Sequence, residues 1–198
     1  MAAIPVGLTR AASLSMRHIT LIIFLLASGY ASSQNISPVF SFENGVAEFK
    51  SEAPLELIRA SSQQLKGLID FEKATFAFVI PVGSFKGFNS ALQQEHFNEN
   101  YMESNRFPRA TFTGRLIEKI DVDNDGEYRV RAKGILNIHG VEQERIIQGL
   151  VIVRKGTIAL SAQFDVLLRD HNIPIPKVVQ HKIAESIHVE INTKGTSQ

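Results

Sequence analysis

"EYRVRAKGILNIHG", residues 127–140, decides the fold. Tyr128, Val130, Ala132, Gly134 and Leu136 occupy every second position, with Arg129, Arg131 and Lys133 between them. Successive side chains of a strand point to opposite faces, so this stretch predicts a strand with one apolar face and one charged face. Antiparallel sheets show that contrast because one face meets the core and the other meets water. The closing "LNIHGV" (136–141) reads as a strand end entering a turn. Strand parity puts His139 on the face of Arg131 and Lys133. Its expected part is structural, an imidazole bonded to a backbone carbonyl that fixes the turn.

The same period recurs along the chain. "TFAFVIPV" (75–82) puts Phe76, Phe78 and Ile80 on one face, and "ATFTGRLIEKI" (110–120) aligns Phe112, Gly114 and Leu116. "TIALSAQFDVLL" (157–168) aligns Ile158, Leu160, Ala162, Phe164, Val166 and Leu168. "KIAESIHVEIN" (182–192) aligns Ile183, Ile187, Val189 and Ile191. Turn signals fall between such runs. "ENG" (43–45) predicts a hairpin between "VFSF" and "VAEFK", and "RKG" (154–156) predicts another after "RIIQGLVIV". "DVDNDG" (121–126) has the opening of a calcium loop, but its twelfth position would be Ala132 where a bidentate Glu is needed. A polar turn built on Asp, Asn and Gly is the better reading.

"NSALQQEHFNENYMESNRFP" (89–108) breaks the alternation. Ser90 and Gln93 can form a capping box, and Ala91 to His96 favour a short helix that Pro108 bars from continuing far. The outline is eight to ten strands with one short helical insertion, an all-β antiparallel sandwich or closed barrel. Gly114, Ala132, Gly134 and Ala162 are small residues on the apolar face. They leave two readings open: a hollow barrel, or small residues packed beneath large ones.

The chain has 198 residues, 44% of them hydrophobic, with a formal net charge of +1. That suits a globular domain with a sizeable core, and no Lys/Arg-rich run invites nucleic acid. "MRHITLIIFLLASGYASSQ" starts at Met16 with a basic segment, continues with an apolar run and ends in small residues. This is the order of a secretory signal peptide, so residues 1–33 are expected to be a signal peptide with an upstream extension and 34–198 a single barrel domain. Removing 1–33 takes Arg10 and Arg17 and no acid, leaving 19 basic against 20 acidic residues and no stable membrane span. No cysteine is present, which excludes disulfides, thiolate catalysis and Cys-zinc sites. The expected home is the periplasm or the exterior.

Enzyme signatures are absent: no G-x-S-x-G elbow, no phosphate-cradling loop and no dinucleotide fingerprint. No H-x-H or H-x-x-x-H spacing offers a metal site. Arg169, Asp170 and His171 share one loop and can grip a polar head group at a barrel mouth. The plainer reading pairs Arg169 with Asp170 to pin that loop.

"FNENYMESNRFPRATFTG" (97–114), "YRVRAKGILNIHGVEQE" (128–144), "FDVLLRDHNIPIP" (164–176) and "SIHVEIN" (186–192) together resemble the YceI-like family of exported, lipocalin-like proteins that bind polyisoprenoid lipids. The likeness spans residues 38–193 and rests on the "IHGV" and "FP-x-A-TF" stretches in combination. Two features depart from it: Asn172 stands where a Gly is usual, and the 90–104 segment is longer and more polar. The resemblance implies a lipocalin-like antiparallel β-barrel of about eight strands around an apolar tunnel. It implies a polyisoprenoid or similar amphiphile as ligand, an isoprenoid lipid or quinone, with no cofactor and no catalytic residue. The expected lining is Phe76, Phe78, Phe112, Val130, Gly134, Leu160, Phe164 and Ile187, with Arg169 and His171 as candidate head-group contacts. Oligomeric state stays open, a dimer included. The competing readings are a packed barrel that meets a protein partner through surface loops, hooked on "QQEHFNENYMESNR", and a lipid hydrolase or isomerase with His139 or His171 as base.

Overall fold

The alternation in residues 127–140 becomes a strand, β5 (Gly126–Ile138), with Val130, Gly134 and Leu136 buried and Arg129, Arg131 and Lys133 exposed. The computed structural model describes residues 38–198. The expected signal peptide and upstream extension lie outside the described residues. Eight antiparallel strands form a closed barrel in simple meander order: β1 (Val39–Glu52), β2 (Leu57–Asp70), β3 (Thr75–Pro81), β4 (Arg109–Leu116), β5, β6 (Val141–Arg154), β7 (Thr157–Leu167) and β8 (Ser186–Ser197). β8 pairs back onto β1, for example Phe49 with Val189, and so closes the sheet into a barrel.

Two hairpins follow their turn chemistry. His139 and Gly140 take φ of 53° and 72°, and Lys155 and Gly156 take 48° and 73°. Each pair makes a two-residue turn with both residues left-handed, joining β5 to β6 and β6 to β7. Glycine fits that geometry freely, and Gly140 has a second reason to lack a side chain, since a Cβ there would run into the Phe107 ring. The turn conformation also overrides strand parity at His139. Its imidazole is buried rather than exposed beside Arg131 and Lys133.

The expected hairpin at "ENG" does not form. β1 runs unbroken through it, with register shifts on both sides of Gly45 and Asn44 at φ 55°. β1 has ladder partners on both edges, β2 and β8, and those bonds outweigh a local turn preference. A bulge absorbs the extra residue instead. Three further boundaries differ from the periodic reading. β2 carries a polar, serine- and glutamine-rich sequence that hid its strand character. β6 begins at Val141 rather than Arg145, and β8 begins at Ser186, leaving Ile183 in the preceding loop. α1 (Ala91–His96) is the expected helix, capped by Ser90, whose Oγ accepts from the Gln93 amide at 3.1 Å. Gln93 Oε1 accepts from the Asn89 amide at 3.0 Å, one residue ahead of a standard capping box.

The barrel interior is unequal along its length. At the end where β1 begins and β8 finishes, Phe40, Phe42, Ile69, Val151, Val153 and Ile158 form a dry core. Phe42 lies over Gly195 and Phe78 over Gly67, where a Cβ would strike each ring. At the opposite end the strands splay under a roof made of α1, the following turn Phe97–Tyr101, and the loop from Leu168 to Glu185.

Candidate ligand-binding site

A cavity of about 580 Å³ occupies the barrel between the packed end and the roof. Its size lies within the range of small-molecule sites. Of the expected lining, Phe76, Phe78, Phe112, Val130, Leu160, Phe164 and Ile187 face it, because each sits at an inward position of its strand. Phe76 and Phe112 pack at 4.8 Å between ring centroids across β3 and β4 and form part of its floor.

Gly134 is a correction. It pairs with Gly114, and a Cβ on either would collide with the backbone of the neighbouring strand. The two glycines therefore set a close approach of β4 and β5 and do not line the cavity. The small residues that open space inside are Ala132 and Ala162, both of which line it. The small residues thus serve two purposes, Gly114 and Gly134 a close backbone contact and Ala132 and Ala162 open volume.

Arg169 and His171 also lie elsewhere than expected. Arg169 is exposed to solvent, and its guanidinium reaches Asp170 only at 3.9 Å. His171 is fully buried, and neither residue lines the cavity. His171 belongs to a brace instead. Its Nδ1 donates to the Val141 carbonyl at 3.1 Å, while His139 Nδ1 donates to the His171 carbonyl at 3.1 Å. The Phe107 ring stands edge-on to His139 at 4.7 Å, and Glu103 Oε1 lies 3.4 Å from His139 Nε2. Burial pushes the His171 imidazole below the ordinary histidine value; bonds to the Val141 and Ile138 carbonyls and the charge of Asp170 pull the other way. Asn172 follows in the left-handed region at φ 54°, so the bend forms without a glycine.

The polar start of β6 gains its reason here. Gln143 Nε2 donates to the Asp170 carbonyl at 2.7 Å and Arg145 Nη2 to the Asp165 carbonyl at 2.6 Å. β6 holds β7 and the start of the roof loop with side chains that read as unsuited to a strand. On the other side, Ser51 Oγ accepts from the Ala184 amide at 2.9 Å.

The sequence reading missed the roof aromatics. Phe49, Phe85, Phe88 and Phe97 form one cluster over the cavity, with Phe49 and Phe97 stacked at 5.3 Å. Phe49 was readable from alternation with Ala47, but Phe85, Phe88 and Phe97 lie in irregular chain with no period to reveal them. Tyr101 and Met102 add to the roof. Burial raises the Tyr101 phenol above its ordinary value. Polar lining residues include Glu56, Ser90, Gln93, His96 and Lys182. His96 is the one histidine among the lining residues. Among the described residues no cluster of metal ligands is present and no helix is long and apolar enough to cross a membrane.

No curated protein matches the chain. Among solved structures, a polyisoprenoid-binding domain from Saccharophagus degradans is similar at a TM-score of 0.66 and 15% identity, over 83% of this chain and 100% of that one. BcnA of Burkholderia cenocepacia is similar at 0.65 and 13%, over 77% and 96%. The YceI protein of Campylobacter jejuni follows at 0.51 and 17%, over 66% and 78%. These likenesses share the fold. The YceI-like domain family matches residues 43–195, nearly the whole of the barrel, and the chain belongs to that family.

Proposed function

We propose that this protein is an exported, non-enzymatic carrier that holds a polyisoprenoid or similar amphiphile, a polyprenyl chain or an isoprenoid quinone, in its barrel. The observation that carries the reading is the roofed apolar cavity of about 580 Å³ with aromatic rings at floor and roof. Membership of the YceI-like family supports it, and so does the fold shared with the polyisoprenoid-binding domain of Saccharophagus degradans. Burying a methylene contributes about 0.8 kcal/mol, so a tail of a few isoprene units gains affinity without many polar contacts. The proposed contacts are Phe76, Phe78, Phe112, Val130, Leu160, Phe164 and Ile187, together with the roof rings. Secretion follows from the leader-like sequence of residues 16–33.

The test is mass spectrometry of lipids extracted from protein purified out of its native host. Ala162→Phe, and Ala132→Phe as a second variant, add a ring at cavity-lining positions. The expected outcome is loss of extractable lipid with the β-sheet circular dichroism retained. Full lipid recovery from both folded variants would reject the cavity as the site.

A further inference from the structure

The barrel is shut at the end where β1 begins, and particular residues shut it. Phe42 has a glycine beside it on each neighbouring strand, Gly67 on β2 and Gly195 on β8. Its own ring lies over Gly195 and the Phe78 ring lies over Gly67, each in space that a Cβ would contest. The two rings meet at 5.5 Å between centroids, with Phe78 facing the cavity and Phe42 standing behind it. Phe40, Val151, Val153 and Ile158 belong to the same core, all buried and none of them lining the cavity. An eight-stranded barrel is wide enough for one slender guest along its axis, and here that end of the axis is filled by side chains. The cavity is therefore a blind tunnel.

A blind end fixes how much tail fits. At the packing density of a protein interior, an isoprene unit of roughly 80 Å³ takes up about 110 Å³, so a cavity of about 580 Å³ holds about five. Depth gives a similar answer. Along β5 the lining runs from Val130 to Ile138; at about 3.3 Å per residue on a strand tilted by about 40°, that is roughly 20 Å. An extended isoprenoid chain rises about 5 Å per unit, four zigzag bonds of about 1.5 Å, so this depth takes about four.

We propose that the tunnel gauges tail length: it accepts an isoprenoid tail of about four or five units, and Phe42, backing Phe78, sets the limit. The proposal rests on the carrier reading and narrows its ligand. Each unit up to the limit exchanges its surroundings for aromatic and aliphatic side chains. A unit beyond it has no room below and stays in water at the mouth, which apolar carbon avoids.

The test uses lipid-stripped protein mixed with detergent micelles that carry equal amounts of farnesol, geranylgeraniol, pentaprenol, hexaprenol and octaprenol, alcohols that share one head group. Native mass spectrometry reads which masses stay bound. The wild type should retain geranylgeraniol and pentaprenol and exclude octaprenol. Phe42→Ala removes roughly 100 Å³ of ring, the room of about one unit, and should move the retained set up by that much. Val130→Phe adds a ring to the floor opposite Gly149 and should move the set down. The second variant opens no void, so it decides the matter if Phe42→Ala does not fold. Octaprenol held by the wild type as well as pentaprenol, or one retained set in every folded variant, overturns the gauge and leaves the carrier reading in place. Retention of none of the alcohols removes the carrier reading, and the gauge with it.

Discussion

At the scale of single residues, His139 and His171 show why a histidine in a suggestive motif need not be a reagent. Each imidazole spends its Nδ1 proton on a backbone carbonyl of the other's segment. Together they tie the β5–β6 turn to the roof loop. His171 carries a consequence for pH. Burial lowers its folded value below the ordinary 6.5, so the folded state disfavours the imidazolium and the unfolded chain takes up the proton more readily. The stability from this residue is therefore complete above about pH 6.5 and falls as the pH drops through the folded value. The urea midpoint of the wild type should decline across that acidic window. His171→Asn keeps an amide donor for Val141 and removes the titration, so its midpoint should be lower at neutral pH but flatter below 6.5. An unchanged acid slope in that variant would assign the effect to other groups. Gly134 makes the complementary point that the missing Cβ serves a strand contact and not a tunnel. Gly134→Ala should cost at least the ~1–3 kcal/mol typical of overpacking, seen as a lowered melting temperature.

At the scale of elements, local chemistry held wherever neighbouring chain had no stronger claim. "IHG" and "RKG" became two-residue hairpins because nothing else competed for those amides. "ENG" carried a similar signal and lost, because β1 had a partner on each edge and its ladder bonds would have been broken by a turn. The first half of β6 read as unlike a strand for another reason. Gln143 holds the Asp170 carbonyl of the roof loop and Arg145 the Asp165 carbonyl of β7, a purpose visible only when those segments are in place. α1 is short and depends on its cap. Removing the bond from Ser90 Oγ to the Gln93 amide in Ser90→Ala should cost about 1 kcal/mol. Six residues of helix form part of the roof, so that loss should appear as faster amide exchange across residues 91–102, with the barrel strands unaffected. Equal exchange in both proteins would mean that the roof is held by Phe49, Phe85, Phe88 and Phe97 without help from the cap.

At the scale of the whole molecule, one end of the barrel stabilises the fold and the other leaves room for a guest. Phe40, Phe42, Ile69 and Ile158 fill the first, while Ala132 and Ala162 leave volume in the second. A guest that binds only the folded barrel raises its stability by mass action, about 2.7 kcal/mol at a hundred times the dissociation constant. Protein stripped of lipid by organic extraction and refolding should therefore melt below protein purified intact, and adding back an isoprenoid quinone should abolish the difference. Identical melting in both preparations would speak against an occupant in the cavity. The strand faces, the two short hairpins, the capped helix and the family resemblance were legible in the residues themselves. Period two and turn chemistry are local properties that need only a few neighbouring positions. The cavity, its aromatic roof and the paired histidines were decided in three dimensions. Each joins residues from separate segments, and whether inward side chains meet or leave a space depends on how eight strands close and which rings fold over their open end.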